Sequence, residues 1–183
     1  MAEPSDPPVV KLICGVICPR AELLDAAAEE LAKAFGPIDI SSQTMDFDFT
    51  HYYDRQMGSP LLRRFVGFAQ PVAADVLAEA KLRTNALEAD LAGRFARQAG
   101  VPRPANLDVG YIEPSKLVLA SMKNFSHRIY LSRGVYAEVT LLYHRRQWQA
   151  LPWTFPDYRS GRYDAFLSAA RQRLVGANLE ADP

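Results

Sequence analysis

Side chains that could bind a ligand or take part in catalysis are most concentrated between Asn106 and Glu138. This segment sets carboxylates, cations and an imidazole among aromatic and β-branched residues. Its polar candidates are Asn106, Asp108, Lys116, Lys123, His127, Arg128 and Glu138. So many such groups in a predicted sheet indicate a site for a ligand or a reaction. The chain has no nucleophile elbow, P-loop or dinucleotide-binding motif, so the sequence leaves the reaction class open.

A hairpin is predicted at the end of this segment, with strands over 128–131 and 135–143 around the turn Ser132-Arg133-Gly134. Alternate residues of a strand point to opposite faces. One face is apolar and predicted to join the core: Ile129, Leu131, Val135, Ala137, Val139 and Leu141. The other face carries Arg128, Tyr130, Tyr136, Glu138 and Thr140. This polar face could hold a small ligand, or it could be a solvated face with a cross-strand charge pair.

Four carboxylates in strand-like runs are the candidate catalytic groups: Asp46, Asp48, Asp108 and Glu138. If the sheet gathers them on one surface, they could share acid–base work or hold Mg²⁺. Their spacing in the chain is not diagnostic, so the sequence leaves the metal requirement open. In the alternative interpretation, the first two cap turns or pair with Arg63 and Arg64.

A basic and aromatic set supplies the candidate ligand-binding residues: Lys116, His127, Arg128, Tyr130 and Tyr136. Together with Lys123, the cations of this set form a local cluster that suits a phosphate-bearing ligand. A solvated basic face explains the cluster equally well. Ser126 and His127 do not form a catalytic pair, because adjacent residues of a strand point to opposite faces.

The predicted secondary-structure elements around these residues follow the order β-α-β-β-α-β. Hydrophobic periodicity predicts strands over 9–17, 38–49, 63–68 and 106–111, and helices over 21–35 and 72–96. This order is typical of a ferredoxin-like core in an α+β domain. The segment 113–123 is predicted as a short helix that begins near Pro114, although its apolar run LVL also suits a strand. The hairpin and a closing helix over 163–174 are predicted to follow. We expect a single domain over 9–176, a disordered tail over 1–8 and a C-terminal tail over 177–183.

The composition is that of a soluble globular protein without net charge. Hydrophobic residues make up 49% and charged residues 23% of the 183 positions. The 21 basic residues balance the 21 acidic ones, which argues against broad nucleic-acid binding. Cys14 and Cys18 are four positions apart and are predicted to be buried thiols. The acidic start is not a signal peptide and no apolar run could span a membrane, so the expected location is the cytoplasm.

Six separated segments resemble a bacterial family known as domain of unknown function 4416. They are FDFTHYYDRQMGSPLLRRF, LRTNALE, NLDVGY, KLVLASMKNFSHRIYL, GVYAEVTL and WTFPDYRS. The resemblance extends over residues 9–170, but the family carries no catalytic residues that can be transferred. Some members have an automatic label of GTP-binding protein. This sequence does not support that label, because it has neither a P-loop nor an N-K-x-D motif.

Two functions therefore compete at the level of the sequence. In the first, the protein binds or turns over a small anionic ligand, phosphorylated or nucleotide-like, at the polar and aromatic face of the sheet. In the second, it is a non-catalytic protein that binds a partner through aromatic residues. The aromatic candidates for that surface are Tyr52, Tyr53, Trp153 and Tyr158.

Overall fold

The computed structural model describes residue 3 and residues 7–180, the last four of them by backbone alone. Most of the predicted N-terminal tail and residues 181–183 lie outside this described part. The closing helix runs to Glu180, beyond the predicted domain end at residue 176. The domain boundaries themselves stay predictions.

Nine strands and five helices make up the described chain. The strands are β1 (Lys11–Cys18), β2 (Ile38–Ser41), β3 (Met45–Asp46), β4 (Leu62–Phe68), β5 (Asn106–Glu113), β6 (Lys116–Ser121), β7 (Ile129–Ser132), β8 (Val135–His144) and β9 (Gln147–Ala150). The helices are α1 (Ala21–Phe35), α2 (Asp54–Met57), α3 (Leu77–Ala99), α4 (Pro156–Arg159) and α5 (Asp164–Glu180). A 3₁₀ turn over Ala74–Val76 leads into α3.

All strands of the described chain belong to one antiparallel sheet. Its order is β2-β4-β1-β5-β6-β8-β7, with β3 paired to β4 and β9 paired to β8. β1 lies at the centre and pairs with both β4 and β5. The protein is thus a mixture of helices and a large antiparallel sheet.

Helices cover both faces of the sheet. The apolar side of α1, which includes Leu24 and Leu31, packs with α3 on one face, where Cys14 and Cys18 are buried as free thiols. On the other face, Phe166 and Leu167 of α5 pack against the sheet. Because both faces are covered, β1 is buried along its whole length, as its continuous apolar run predicts.

The predicted hairpin is confirmed as β7 and β8. Ser132 pairs with Val135, which leaves the two-residue turn Arg133-Gly134. Both turn residues have positive φ, 49° and 79°, as the tight turn of a hairpin requires.

The short helix predicted over 113–123 is wrong. The chain turns at Pro114-Ser115 and continues as β6. Leu117 packs on the α5 side of the sheet and Val118 on the opposite side. A strand accommodates apolar residues on both of its faces when helices cover both faces of the sheet. Burial on both faces therefore favours a strand over a helix in this segment.

The predicted face of the hairpin is also wrong in part. Val139 packs on the α3 side of the sheet, whereas Leu141 packs on the α5 side. A register shift between β6 and β8 at this point interrupts the alternation. At the other end of the predicted face, Ile129 and Leu131 on β7 are 70% and 40% exposed, so these two residues do not join the core.

The sheet opens between β5 and β6. β5 pairs with β1 from Asn106 to Ile112, but with β6 only from Gly110 onward. Residues 106–109 therefore have no strand partner on their second side in the described chain. We call this opening the sheet gap, and it positions the candidate site.

Candidate functional site

A cavity of about 690 Å³ adjoins the sheet gap. Its cationic lining residues are Arg63, Lys81, Arg103, Lys123 and Arg128. Its acidic lining residues are Asp108, Glu138 and Asp157. Its aromatic lining residues are Phe47, Phe49, Tyr52, Tyr53, Phe125, Phe155 and Tyr158. The volume falls in the range of small-molecule sites, and the charged groups belong to strands, helices and loops far apart in the chain.

Arg63 of β4 is the centre of a buried network on one wall of the cavity. Its Nη1 donates to Asp157 Oδ2 at 2.5 Å, and its Nη2 lies 3.0 Å from the Tyr158 hydroxyl and 3.3 Å from Asp108 Oδ2. Tyr163 donates from its hydroxyl to the same Asp157 oxygen at 3.3 Å. The network fixes α4 against the sheet, because Asp157 and Tyr158 both belong to that helix.

Gly15 of β1 makes room for the Arg63 guanidinium. Gly15 lies between β4 and β5, opposite Phe65 on one side and Asp108 on the other. A Cβ atom at Gly15 would lie 2.6 Å from Arg63 Nη2 and 2.9 Å from Phe65 Cε1. The guanidinium therefore crosses β1 above a residue without a side chain and reaches the carboxylate of Asp108.

Burial sets the ionisation of this network. Burial alone would lower the pKa of Arg63, but the oxygens of Tyr158, Asp108 and Asp157 raise it above its ordinary value. Arg63 therefore stays charged. Burial raises the pKa of the Asp157 carboxyl, and the opposing pull of Arg63 is smaller. Burial likewise raises the pKa of Tyr158 well above its ordinary value, so this phenol stays protonated while its oxygen accepts from Arg63.

A second buried network centres on Glu138 of β8. Glu138 Oε2 lies 2.7 Å from Arg128 Nε and 3.0 Å from His127 Nε2. Arg128 Nη1 also donates to Ser121 Oγ and to the Lys123 carbonyl, each at 2.9 Å. The carboxylate thus holds the loop between β6 and β7 beside the cavity.

Two side chains of α3 replace the missing strand at the sheet gap. The Leu107 N–H donates to Glu88 Oε1 at 2.8 Å, and Lys81 Nζ donates to the Leu107 carbonyl at 3.0 Å. Arg103 Nη2 donates to Glu88 Oε2 at 2.8 Å and to Asn106 Oδ1 at 2.5 Å. Lys81, Arg103 and Asn106 line the cavity at this point.

At the mouth of the cavity, a polar contact joins the loop before α2 to the loop between β6 and β7. Lys123 Nζ donates to the Tyr52 hydroxyl at 2.6 Å, and this hydrogen bond lowers the pKa of the Tyr52 phenol. The rings of Tyr52 and Phe125 are each 63% exposed. The mouth therefore combines a cation with accessible aromatic surfaces.

The family of the chain follows from its comparison with known proteins. A family model described as Domain of unknown function (DUF4416) matches residues 8–174. The chain belongs to this family. No curated protein and no solved structure matches it. All residues that line the cavity lie inside the DUF4416 domain.

The structure brings together part of the predicted site of the DUF4416 domain. Asp108, Glu138 and Arg128 line the cavity, and His127 contacts Glu138 next to it. His127 also stacks on Trp153, with the ring centres 5.2 Å apart.

The other predicted site residues do not line the cavity. Asp46 and Asp48 are exposed, and both contact Arg162 rather than Arg63 or Arg64. The remaining members of the predicted site are Lys116, which pairs with Glu113, and Tyr130 and Tyr136, which contact each other. Their predicted roles stay predictions, because none of these contacts tests them.

Sequence reasoning missed several residues of the cavity wall, chiefly Arg63, Lys81, Arg103 and Asp157. One signal was available for the first of them. An isolated glycine inside an apolar strand marks a close approach of another group, and Gly15 interrupts the run LICGVIC. No comparable local signal marks Lys81, because a single lysine in an amphipathic helix usually lies in solvent.

Two absences concern the described residues of the DUF4416 domain alone. Among them, no group of three or more His, Cys, Asp or Glu side chains could hold a metal ion. No helix in that part of the chain has the length and apolar character to cross a membrane.

Proposed function

We propose that the DUF4416 domain binds a small anionic molecule that contains a ring, in the cavity beside the sheet gap. The main support for this proposal is the charge of the cavity lining, which has five cationic side chains and three carboxylates around a volume of about 690 Å³. The excess of positive charge favours a ligand with one or two negative charges. Phosphorylated and nucleotide-like compounds match this description.

The aromatic lining supports a ring in the ligand. Seven aromatic residues border the cavity, and two of them, Tyr52 and Phe125, are largely exposed at its mouth. Aromatic faces stack on nucleobases and other flat rings and contribute about 1–3 kcal/mol per ring. A ligand with a charged end and a flat end therefore fits the lining better than an inorganic anion does.

Turnover of the ligand is part of the same proposal. Asp108 is the lining carboxylate with the greatest exposure, at 30% of its side chain, and one side-chain cation contacts it at 3.3 Å. Glu138 and Asp157 are almost fully buried in short ion pairs. Asp108 is thus the carboxylate best placed for acid–base chemistry on a bound ligand.

A thermal-shift screen of the full chain tests the proposal. The panel contains nucleotides, sugar phosphates and aromatic carboxylates, each with its uncharged analogue. A ligand at a hundred times its Kd stabilises the native state by about 2.7 kcal/mol. For a chain of this size that corresponds to a rise in Tm of roughly 5–10 °C. The proposal fails if no charged compound raises Tm more than its analogue does.

A matched pair of variants locates any hit. Lys123→Met removes a cation at the cavity mouth, whereas Lys116→Met removes one that pairs with Glu113 outside the lining. We expect weaker binding in the first variant, measured by calorimetry, and wild-type binding in the second. Equal affinity in both would place the ligand outside the mouth.

Partner binding is a second candidate, and it is favoured by the exposure of β7. This strand lies at one end of the sheet order, and Ile129, Tyr130 and Leu131 are 70%, 58% and 40% exposed. Exposed apolar edge strands pair with other chains. The aromatic surface predicted from the sequence is less favourable, because Tyr158 is buried. Ile129→Lys should abolish partner capture and leave small-ligand binding intact.

We also propose a ferredoxin-like core and a cytoplasmic location. The order β2-β4-β1-β5, with α1 and α3 as the connecting helices, supports the first. The free thiols of Cys14 and Cys18 support the second, since disulfides are rare in the cytosol. An experimental structure and cell fractionation test these two statements.

A further inference from the structure

Lys81 is a buried cation without a carboxylate partner. Its relative exposure is 8%, and its ammonium donates to the Leu107 carbonyl at 3.0 Å. Within the described chain, no carboxylate oxygen lies within 4.0 Å of its Nζ. An ammonium has three N–H donors, and the Leu107 carbonyl takes one of them, so two remain for a ligand in the cavity. A ligand oxyanion would stabilise this buried charge.

Asn106 presents an unpaired donor at the same place. Arg103 Nη2 lies 2.5 Å from one side-chain atom of Asn106, and a guanidinium only donates, so that atom is the oxygen. The amide nitrogen is consequently fixed as the other atom. Asn106 is 4% exposed, and its Nδ2 is buried without a protein partner in the described chain. Buried donors of native proteins are almost always paired, so this one indicates a missing acceptor.

The two donors lie at the same gap. Lys81 contacts the carbonyl of Leu107, the residue that follows Asn106, and both side chains line the cavity. The sheet gap explains how an α3 side chain reaches a cavity that otherwise belongs to the α5 side. β6 does not pair with β5 here, so Lys81 reaches the edge of β5.

We propose that Lys81 Nζ and Asn106 Nδ2 bind the terminal oxyanion of the ligand in the sheet gap. This inference rests on the proposed function and adds where the charged end lies. The chemistry is that of a terminal carboxylate or phosphate, whose oxygens accept hydrogen bonds from an ammonium and an amide together. The uncharged ring of the same ligand then extends toward Tyr52 and Phe125 at the mouth.

A purely structural role for Lys81 predicts a different outcome. If Lys81 only caps the Leu107 carbonyl, Lys81→Met lowers Tm but leaves the affinity for anions unchanged relative to uncharged analogues. If Lys81 also binds the oxyanion, Lys81→Met weakens the binding of anions selectively, whatever the cost of the lost hydrogen bond to Leu107.

Titration with three small probes tests the site. Benzoate and phenyl phosphate carry a ring and an oxyanion, and benzyl alcohol is their uncharged analogue. The full chain is labelled with ¹⁵N, and affinity is measured from shifts of the Asn106 side-chain amide signals. The variants are Lys81→Met, Asn106→Asp and the control Lys33→Met, whose lysine is exposed on α1. Asn106→Asp keeps the acceptor for Arg103 and removes the donor; calorimetry measures its affinity.

We expect at least one anion to bind the wild type at least about tenfold more tightly than benzyl alcohol. Lys81→Met and Asn106→Asp should each weaken that binding by about tenfold or more, while Lys33→Met binds as the wild type does. The tighter of the two anions identifies the oxyanion as a carboxylate or a phosphate. Lys81→Met should bind benzyl alcohol as the wild type does, which would show that the variant keeps the cavity.

Other results overturn the inference and separate it from the proposed function. If Lys81→Met and Asn106→Asp bind the anions as the wild type does, the oxyanion lies elsewhere and the proposed function stands. If neither anion binds, the sheet gap is not an oxyanion site. If, in addition, no compound of the thermal-shift panel stabilises the chain, the proposed function falls as well. An equal loss of affinity for benzyl alcohol and for the anions in Lys81→Met also contradicts the inference, since it assigns Lys81 to the structure of the cavity.

Discussion

The two faces of β1 are buried by different kinds of contact. On the face toward α1 and α3, Cys14 and Val16 pack among aliphatic side chains. On the opposite face, Gly15 leaves the space in which the guanidinium of Arg63 lies. The same strand is buried on both faces, yet apolar packing alone fills one face, while the other combines apolar packing against α5 with a buried charge network.

The difference lies in what each face can tolerate. An apolar face adapts to a change of one side chain with a cost that depends on volume. A buried charge network tolerates single substitutions poorly, because removal of one member leaves its partner as an unpaired charge in a poorly polarisable interior. The charged face therefore binds α4 to the sheet specifically, and it also forms one wall of the candidate site.

Arg63→Met should give the largest effect and tests whether the charges hold the second face. The substitution leaves Asp157, whose side chain is 7% exposed, without its cation. Breaking a buried pair in this way costs about 3–5 kcal/mol. Urea denaturation measures the loss in the free energy of unfolding.

The double variant Arg63→Met with Asp157→Leu is the control for this prediction. Replacement of both charges by apolar groups should restore most of the lost stability. Asp108 does not need replacement, because 30% of its side chain is exposed to water. A double variant that is no more stable than Arg63→Met would show that charge pairing is not the cause.

Leu24→Ala makes the corresponding test on the apolar face. Leu24 belongs to α1 and is fully buried. Its truncation should cost about 2–5 kcal/mol, according to how far the neighbours relax into the cavity. Leu24→Met, which conserves volume, should cost less than about 1.5 kcal/mol. If Leu24→Met is as damaging as Leu24→Ala, this face is less tolerant than we infer.

Gly15→Ala should have a smaller effect on stability, and it tests the close approach of Arg63 to the charged face of β1. The added methyl group collides with Arg63 Nη2 and the Phe65 ring, which should cost about 1–3 kcal/mol. At Gly93 of α3 the same substitution meets, within the described chain, no atom within 4 Å apart from its chain neighbours and the backbone of its own helix, and it should stabilise the helix by roughly 0.5–1 kcal/mol. Thermal unfolding of both variants measures the contrast. A Gly15→Ala protein as stable as the wild type would contradict the close approach of Arg63.

The two buried thiols give the smallest effect, and they report on the apolar face. Burial raises the pKa of Cys14 above its ordinary range and that of Cys18 to about 12. At about pH 8.5 the folded protein should therefore resist iodoacetamide, while the urea-unfolded chain reacts at both thiols. Mass spectrometry counts the modified residues, and rapid reaction of the folded protein would contradict the burial.

The sign of the pH dependence follows from the same shift. As the pH rises past the ordinary thiol pKa, the unfolded chain loses these protons and the folded protein keeps them. The stability that the thiols contribute is present below that pKa and is lost as the pH rises through the folded values. Replacement of both cysteines by alanine should therefore weaken the decline of stability at alkaline pH.

Part of the fold and of the candidate site could be predicted from residue patterns. Helix α1 and the β7–β8 hairpin follow from periodicity and from the turn Arg133-Gly134. Asp108, Glu138 and Arg128 are candidates for chemistry by their residue types and their place in the chain, and all three line the cavity. These predictions succeed because the signals are local.

The failures concern contacts between distant segments. Pro114 made a helix plausible where burial on both faces makes β6. The register shift near Leu141 moves that residue to the other face, and no local signal announces it. Arg63 meets Asp157 across 94 positions of the chain, a pairing that neither residue type predicts.

Residue patterns along the chain are sufficient to predict the periodic elements, the hairpin turn and the resemblance to the family. Those features depend on residues a few positions apart, whose side chains and backbone angles constrain one another directly. Which charges meet depends instead on the tertiary fold, because strand register and the opening between β5 and β6 result from the packing of the whole sheet. The sheet gap places Lys81 beside Asn106, and no spacing within the chain encodes that meeting.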